Sequence, residues 1–343
     1  MRRLTALARS GVSLIHHTGL PAAAEKVVGR VVGGVADVVV SGYESSAAQR
    51  LGSGFSPTLP SGARSVLLLR CLGHLQYAPR FIETLERGGL RGQTVFFSPE
   101  AERRRLLALK RTIAETFESL IVHPPENPAA IVGSSLGAVV SVFVAAPAKF
   151  PALRRELTIR RLDRLFPPTP HRNVHALHEL AERLEGVRVM PMGGPLNEVE
   201  LTAFGQQGIG GIEMVLPGTL RWLRKGYLNG IGDKPGLYQE IGLRPEDFET
   251  IVDYLLIGGA QTWGLHGGGP RSLVANAFMQ GGTRLVSRLA VRRTPGELYD
   301  GVVGHRSALL PLGPGRVIVF PRRNHIDMME AEEVAQVIVD LLS

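Results

Sequence analysis

The apolar run Ala129-Ala130-Ile131-Val132 is followed by Gly133-Ser134-Ser135-Leu136-Gly137 and then by Ala138-Val139-Val140-Ser141-Val142-Phe143-Val144. A short strand that passes straight into an apolar helix must reverse within the pentapeptide, and the glycines that bracket Ser135 allow the reversal. A side chain at either glycine would collide with the strand or helix across the turn. A strand, sharp turn and helix in this order points to architectures in which helices cover a sheet. It also lifts the serine out of the top of that sheet, as in a nucleophile elbow. With 41 glycines in 343 residues, a G-x-S-x-G match arises by chance roughly 0.3 times in a chain of this kind. The flanking strand and helix are what make this one informative.

The same alternation runs through the chain. Apolar runs predict strands at 66–69, 94–97 and 130–132, and longer amphipathic stretches predict helices at 78–87, 100–121 and 136–145. Such alternation predicts an α/β fold, a mostly parallel sheet with helices on both faces. Residues 1–61 read as a helical N-terminal extension and linker, and 62–343 as one α/β domain with an insertion at about 196–282. The extension has three readings: packing on the domain, a contact between copies, or a membrane surface; packing is the simplest. The insertion has two. It is a lid over a pocket lined by Met214, Leu216, Leu220, Trp222 and Leu223, or those residues form its own small core.

An elbow serine needs help, because a hydroxyl is a poor nucleophile at neutral pH. A histidine must accept its proton, and a carboxylate must hold that histidine in the right tautomer. On a sheet of this kind the chain order is serine, then acid, then histidine, with the last two on loops after later strands. A strand at 289–291 precedes a loop with Asp300, and a strand at 316–320 precedes a loop with His325, before a final helix at 331–342. Glu297 competes with Asp300 for the acid position.

Asp300-Gly301-Val302-Val303 with Ser307-Ala308-Leu309, and then Asn324-His325-Ile326-Asp327, resemble the DG-x-V…SA and NH-x-D segments of bacterial triacylglycerol lipases of the α/β-hydrolase superfamily. Val187-Arg188-Val189-Met190-Pro191-Met192-Gly193-Gly194-Pro195 is similar to the strand and Gly-x-Pro turn that follow the nucleophile helix there. The resemblance implies an α/β-hydrolase fold and the cleavage of carboxylic esters of hydrophobic acyl groups. It implies Ser135 as nucleophile, Asp300 as acid and His325 as base. The oxyanion would be held by the backbone N–H groups of Leu72 and Leu136, with no cofactor. Arg70-Cys71 stand where those lipases carry His-Gly. That departure keeps open a hydrolase-fold protein that binds a lipid or a partner with little or no catalysis, and the same triad would also support acyl transfer.

Composition narrows the partners. The hydrophobic content of 44% with 20% charged residues is that of a globular protein. A net charge of +8 would suit nucleic acid or anionic lipid, but the arginines are spread along helices and few aromatic residues stand near them to stack bases. Nucleic acid is therefore not an expected partner; the resemblance implies a small-molecule ester or lipid, with peripheral membrane contact and oligomeric state left open. Cys71 is the single cysteine, which excludes an intramolecular disulfide framework and suits a cytoplasmic location. Arg9, His16, His17 and Pro21 interrupt the first residues, so neither a signal peptide nor a transmembrane helix is expected. No metal site is expected either. His171, His175 and His178 are spaced for one helical face but read as solvent-exposed, and Asp327, placed where some lipases ligate calcium, reads as a helix cap.

Overall fold

The run before the elbow is a strand because it is buried on both faces and paired on both edges. β3, Pro128–Ser134, is buried from Ala129 onward and lies between β1, Ser65–Leu69, and β4, Arg188–Met192. It pairs parallel with both, Leu68 against Val132 on one side and Val132 against Met190 on the other. Strands buried in this way read as continuous apolar runs, which is why this one was visible in the sequence. The computed structural model describes residues 59, 61–69, 77–95, 109–150, 174–197, 228–230, 232–259, 300, 303, 305–321, 323, 325 and 327–343.

Among the described residues, six parallel strands form one sheet in the order β2-β1-β3-β4-β5-β6, with β2 at Arg91–Thr94, β5 at Leu255–Gly258 and β6 at Val317–Phe320. The protein therefore has an α/β fold. The chain passes from β1 outward to β2, then returns across β1 and continues through β3 to β6 in the other direction. Helices cover both faces of the sheet, and the strand residues divide between them. Val66, Leu68, Ala130, Val132, Met190, Met192 and Leu256 meet one face. There Phe81 and Leu85 of α1, Pro79–Arg87, pack with Val334, Ile338 and Leu342 of the last helix, Glu332–Leu342. Leu67, Leu69, Ile131, Val189, Leu255 and Ile257 meet the other. That side is covered by α2, Leu109–Val122, α3, Leu136–Lys149, and α4, Val174–Arg183. α3 is buried from Leu136 through Ala148, the central position that its almost entirely apolar sequence requires.

Two segments differ from the sequence reading. β2 spans Arg91–Thr94 and not 94–97, because an edge strand that is only half-buried has no need of an apolar pattern. β5 lies inside 196–282, the expected insertion, and joins the central sheet against β4 and β6. The run Leu255-Leu256-Ile257 follows a helical stretch that starts at Pro245. In the structure that stretch ends at Ile251, where the Val252 N–H donates to the Phe248 carbonyl, and short apolar runs are ambiguous between helix and strand. Most of residues 1–61, the expected strand at 289–291 and the five pocket residues from Met214 to Leu223 lie outside the described residues. Among the described residues no helix is long and apolar enough to cross a membrane.

One carboxylate ties the amino ends of β4 and β5. Asp253 accepts the Val189 N–H at 2.9 Å and pairs with Arg188 at 2.8 Å and Lys149 at 3.4 Å, and its carbonyl accepts from Arg316 at 2.9 Å. The hydrogen bond to Asp253 holds the Arg188 guanidinium above its ordinary range. Asp253→Ala leaves a strand N–H and two cations without their acceptor. It should lower the unfolding free energy by about 2 kcal/mol, measured as an earlier urea midpoint with an unchanged slope.

Candidate active site

Ser135 sits between β3 and α3 at φ 54° and ψ −114°. For a residue with a side chain this conformation costs about 1–3 kcal/mol and persists only where the surroundings enforce it. The enforcement is visible. The Ser135 N–H donates to the Met192 carbonyl at 2.9 Å, and the Ser135 carbonyl accepts from Ala138 at 3.1 Å. A Cβ on Gly133 would lie 2.0 Å from the Gly137 carbonyl oxygen, the collision expected from the sequence. Gly194, just beyond β4, is equally confined, since its Cβ would lie 2.3 Å from the Ala138 Cβ and 2.7 Å from the Ser135 carbonyl. Ser135 itself remains half-buried, open to an approaching molecule. Leu136 is the first residue of α3, so its N–H has no intrahelical acceptor and stands at the positive end of the helix dipole.

Asp300 and His325 meet at the same edge of the sheet. His325 Nδ1 lies 2.6 Å from Asp300 Oδ2, with Asp300 1% and His325 4% exposed. Asp300 Oδ1 accepts the Val303 N–H at 2.7 Å, and the Asp300 carbonyl accepts the His325 N–H at 2.7 Å. One aspartate thus holds both the ring and the backbone of the histidine. An ionised carboxylate can only accept, so the imidazole proton belongs on Nδ1 and Nε2 is left as the basic nitrogen. Burial strengthens this orientation, because no water competes for the pair.

Gly193 and Gly194 bring serine and pair together. The Gly193 N–H donates to the Leu256 carbonyl at 2.9 Å, which carries the chain from β4 over the end of β5. At φ 57°, a Cβ on Gly193 would lie 2.9 Å from Asp300 Oδ2 and 3.4 Å from His325 Nδ1, while one on Gly194 would press on Ser135. The dipeptide therefore has the nucleophile candidate against one residue and the acid–base candidates against the next. The site opens at the carboxyl ends of the strands, beside the point between β1 and β3 where the strand order reverses, the usual place for ligands on sheets of this type.

Of the expected residues, Ser135, Leu136, Asp300 and His325 are gathered here. Leu72 and the competing acid Glu297 lie outside the described residues. Asp327 is buried in a short helical turn, Asp327–Met329, and it is its carbonyl that accepts the N–H groups of Glu330 and Ala331. His175 is exposed and lies 3.3 Å from Glu179, His178 is half-buried, and His171 lies outside the described residues. Among the described residues no cluster could hold a metal ion. The role of Gly193 as the floor under the pair was not read from the sequence. The sequence signals there are the Gly-Gly pair after an apolar strand and its similarity to a Gly-x-Pro turn, and neither shows what approaches Gly193.

No protein-family model matches the chain, and no curated protein matches it. What these residues can do rests on their own geometry: a hydroxyl on a strained turn, an imidazole whose Nδ1 faces a buried carboxylate, and a helix N-terminus beside them. Gly193→Ala should break the arrangement at its floor. A methyl 2.9 Å from Asp300 Oδ2 should displace the carboxylate from the imidazole. The strongly deshielded proton resonance expected of a buried 2.6 Å pair should then disappear from the NMR spectrum of the folded variant.

Proposed function

We propose that the protein is a serine hydrolase of the α/β-hydrolase fold that cleaves carboxylic esters of hydrophobic acyl groups. The observation that carries the reading is the buried pair of Asp300 and His325, 2.6 Å apart, across Gly193-Gly194 from a serine held at φ 54°. A strained strand-to-helix serine, a later acid and a last histidine, in that order and on one edge of a parallel sheet, are the parts and the sequence of parts that the mechanism needs. The acyl preference is supported by the resemblance of the Asp300 and His325 segments to those of bacterial lipases.

In this mechanism Ser135 Oγ attacks the ester carbonyl carbon as His325 Nε2 takes the hydroxyl proton. Asp300 stabilises the imidazolium without being protonated itself. The negative charge on the tetrahedral oxygen faces the Leu136 N–H at the start of α3, with the Leu72 N–H as the expected second donor. Collapse expels the alcohol, which carries away the proton from Nε2. Water then attacks the acyl-serine by the same route, returning its proton through His325 and releasing the carboxylic acid. An alcohol in place of water would complete acyl transfer with the same residues.

A fluorophosphonate probe should label the wild type at Ser135 and leave Ser135→Ala and His325→Ala unlabelled. Absence of label on the folded wild type would sink the reading and favour a binding protein. Asp300→Asn, which preserves the shape of the pair but reverses its hydrogen-bonding, should lower kcat on p-nitrophenyl esters about ten-thousand-fold. Activity on these esters should rise with acyl length if the hydrophobic-acyl assignment is right.

A further inference from the structure

We propose that Tyr77 is a positioning residue that holds the serine strand in register with the histidine segment. The Tyr77 hydroxyl lies 3.2 Å from the Leu69 carbonyl and 3.2 Å from the Val132 carbonyl. Leu69 is the last residue of β1, and Val132 lies in β3 three residues before Ser135. The next residue completes a second tie, because the Ala78 N–H donates to the Met329 carbonyl at 3.0 Å, four residues beyond His325. One dipeptide thus joins β1, the strand that delivers the serine and the turn that follows the histidine. The inference rests on the serine hydrolase reading above.

The position of the hydroxyl explains why a tyrosine is needed. β1 and β3 are the neighbours between which the strand order reverses, and their ladder ends where Leu69 pairs with Gly133. Near that end the hydroxyl bridges a carbonyl from each strand, Leu69 of β1 and Val132 of β3. The ring is buried at 4% exposure and packs on Phe81 with centroids 5.0 Å apart, so its orientation is fixed by its neighbours. A buried hydroxyl without partners would be costly, and two carbonyls that lose it are under-satisfied in turn. The ends of β1 and β3 then relax against each other, and β3 carries Ser135 with it. Shifts of about 1 Å in a reacting group cost on the order of a hundredfold in rate.

Tyr77→Phe removes the hydroxyl and keeps the ring. On a soluble p-nitrophenyl ester it should lower kcat ten- to a hundredfold and slow fluorophosphonate labelling by a similar factor, with KM within about twofold of wild type. Ala78→Pro removes the other tie alone. Ala78 has φ −66°, which a proline ring accepts, so it should lower kcat in the same way and decides the matter if Tyr77→Phe does not fold. Phe81→Leu loosens the same packing while leaving both ties, and should lower the thermal midpoint with kcat within about threefold of wild type. The proposal is overturned if the folded Tyr77→Phe and Ala78→Pro variants keep wild-type kcat, or if Phe81→Leu loses as much kcat as they do. A wild type that takes no label overturns the hydrolase reading and this proposal with it. A labelled wild type with unimpaired ties-removed variants overturns this proposal alone.

Discussion

Because β3 pairs parallel with β1 on one side and β4 on the other, the strands deliver their carboxyl ends to one edge of the sheet. The candidate residues stand at that end. Ser135 leaves β3, Gly193 and Gly194 leave β4, Asp300 stands over the end of β5, and His325 follows β6. Residues far apart in the chain become neighbours because adjacent parallel strands end side by side. An antiparallel sheet with the same elements would send alternate loops to opposite ends.

The sheet can enforce strain because it is closely packed on both faces. The conformation of Ser135 is unfavourable by itself, and it is stabilised by contacts made before and after it: the Met192 carbonyl, the Gly133 approach and the Gly194 approach. Asp300 uses both carboxylate oxygens and its carbonyl to hold neighbouring groups. Both groups are therefore set before anything binds, which is the condition under which hydrogen bonds and partial charges lower a barrier without reorganising. At the opposite end of β4 and β5, Asp253 performs a purely structural task with equally dense bonding. The two aspartates differ in what they hold: Asp253 meets a strand N–H and two cations, whereas Asp300 meets an imidazole.

Much of this was legible in the amino-acid order. The buried strands announced themselves as short apolar runs, and the helices at Pro79–Arg87, Leu136–Lys149 and Glu332–Leu342 fell close to where their patterns placed them. β2 and β5 were harder for opposite reasons. Arg91–Thr94 is an edge strand without an apolar pattern, whereas Leu255–Gly258 is a short apolar run directly after a helical stretch, and such runs are ambiguous between helix and strand. At the candidate site, Ser135, Asp300 and His325 each lie in a local motif that the sequence shows. The task of Gly193 was hidden, since what requires a glycine there is the approach of Asp300 and His325 from distant parts of the chain.

The sequence by itself determined that a serine stands on a glycine-bracketed turn between an apolar strand and an apolar helix, and that an aspartate and a histidine follow in the order a proton relay requires. These are local properties, set by which backbone conformations glycine permits and by the spacing of apolar side chains. Only the tertiary structure decided that Asp300 is paired with His325, that β5 belongs to the sheet, and that Gly193-Gly194 separates the pair from the serine by the width of a dipeptide. The reason is that strand order is a long-range property. It depends on which buried faces meet when the sheet assembles, and no stretch of chain short enough to carry a motif contains that information.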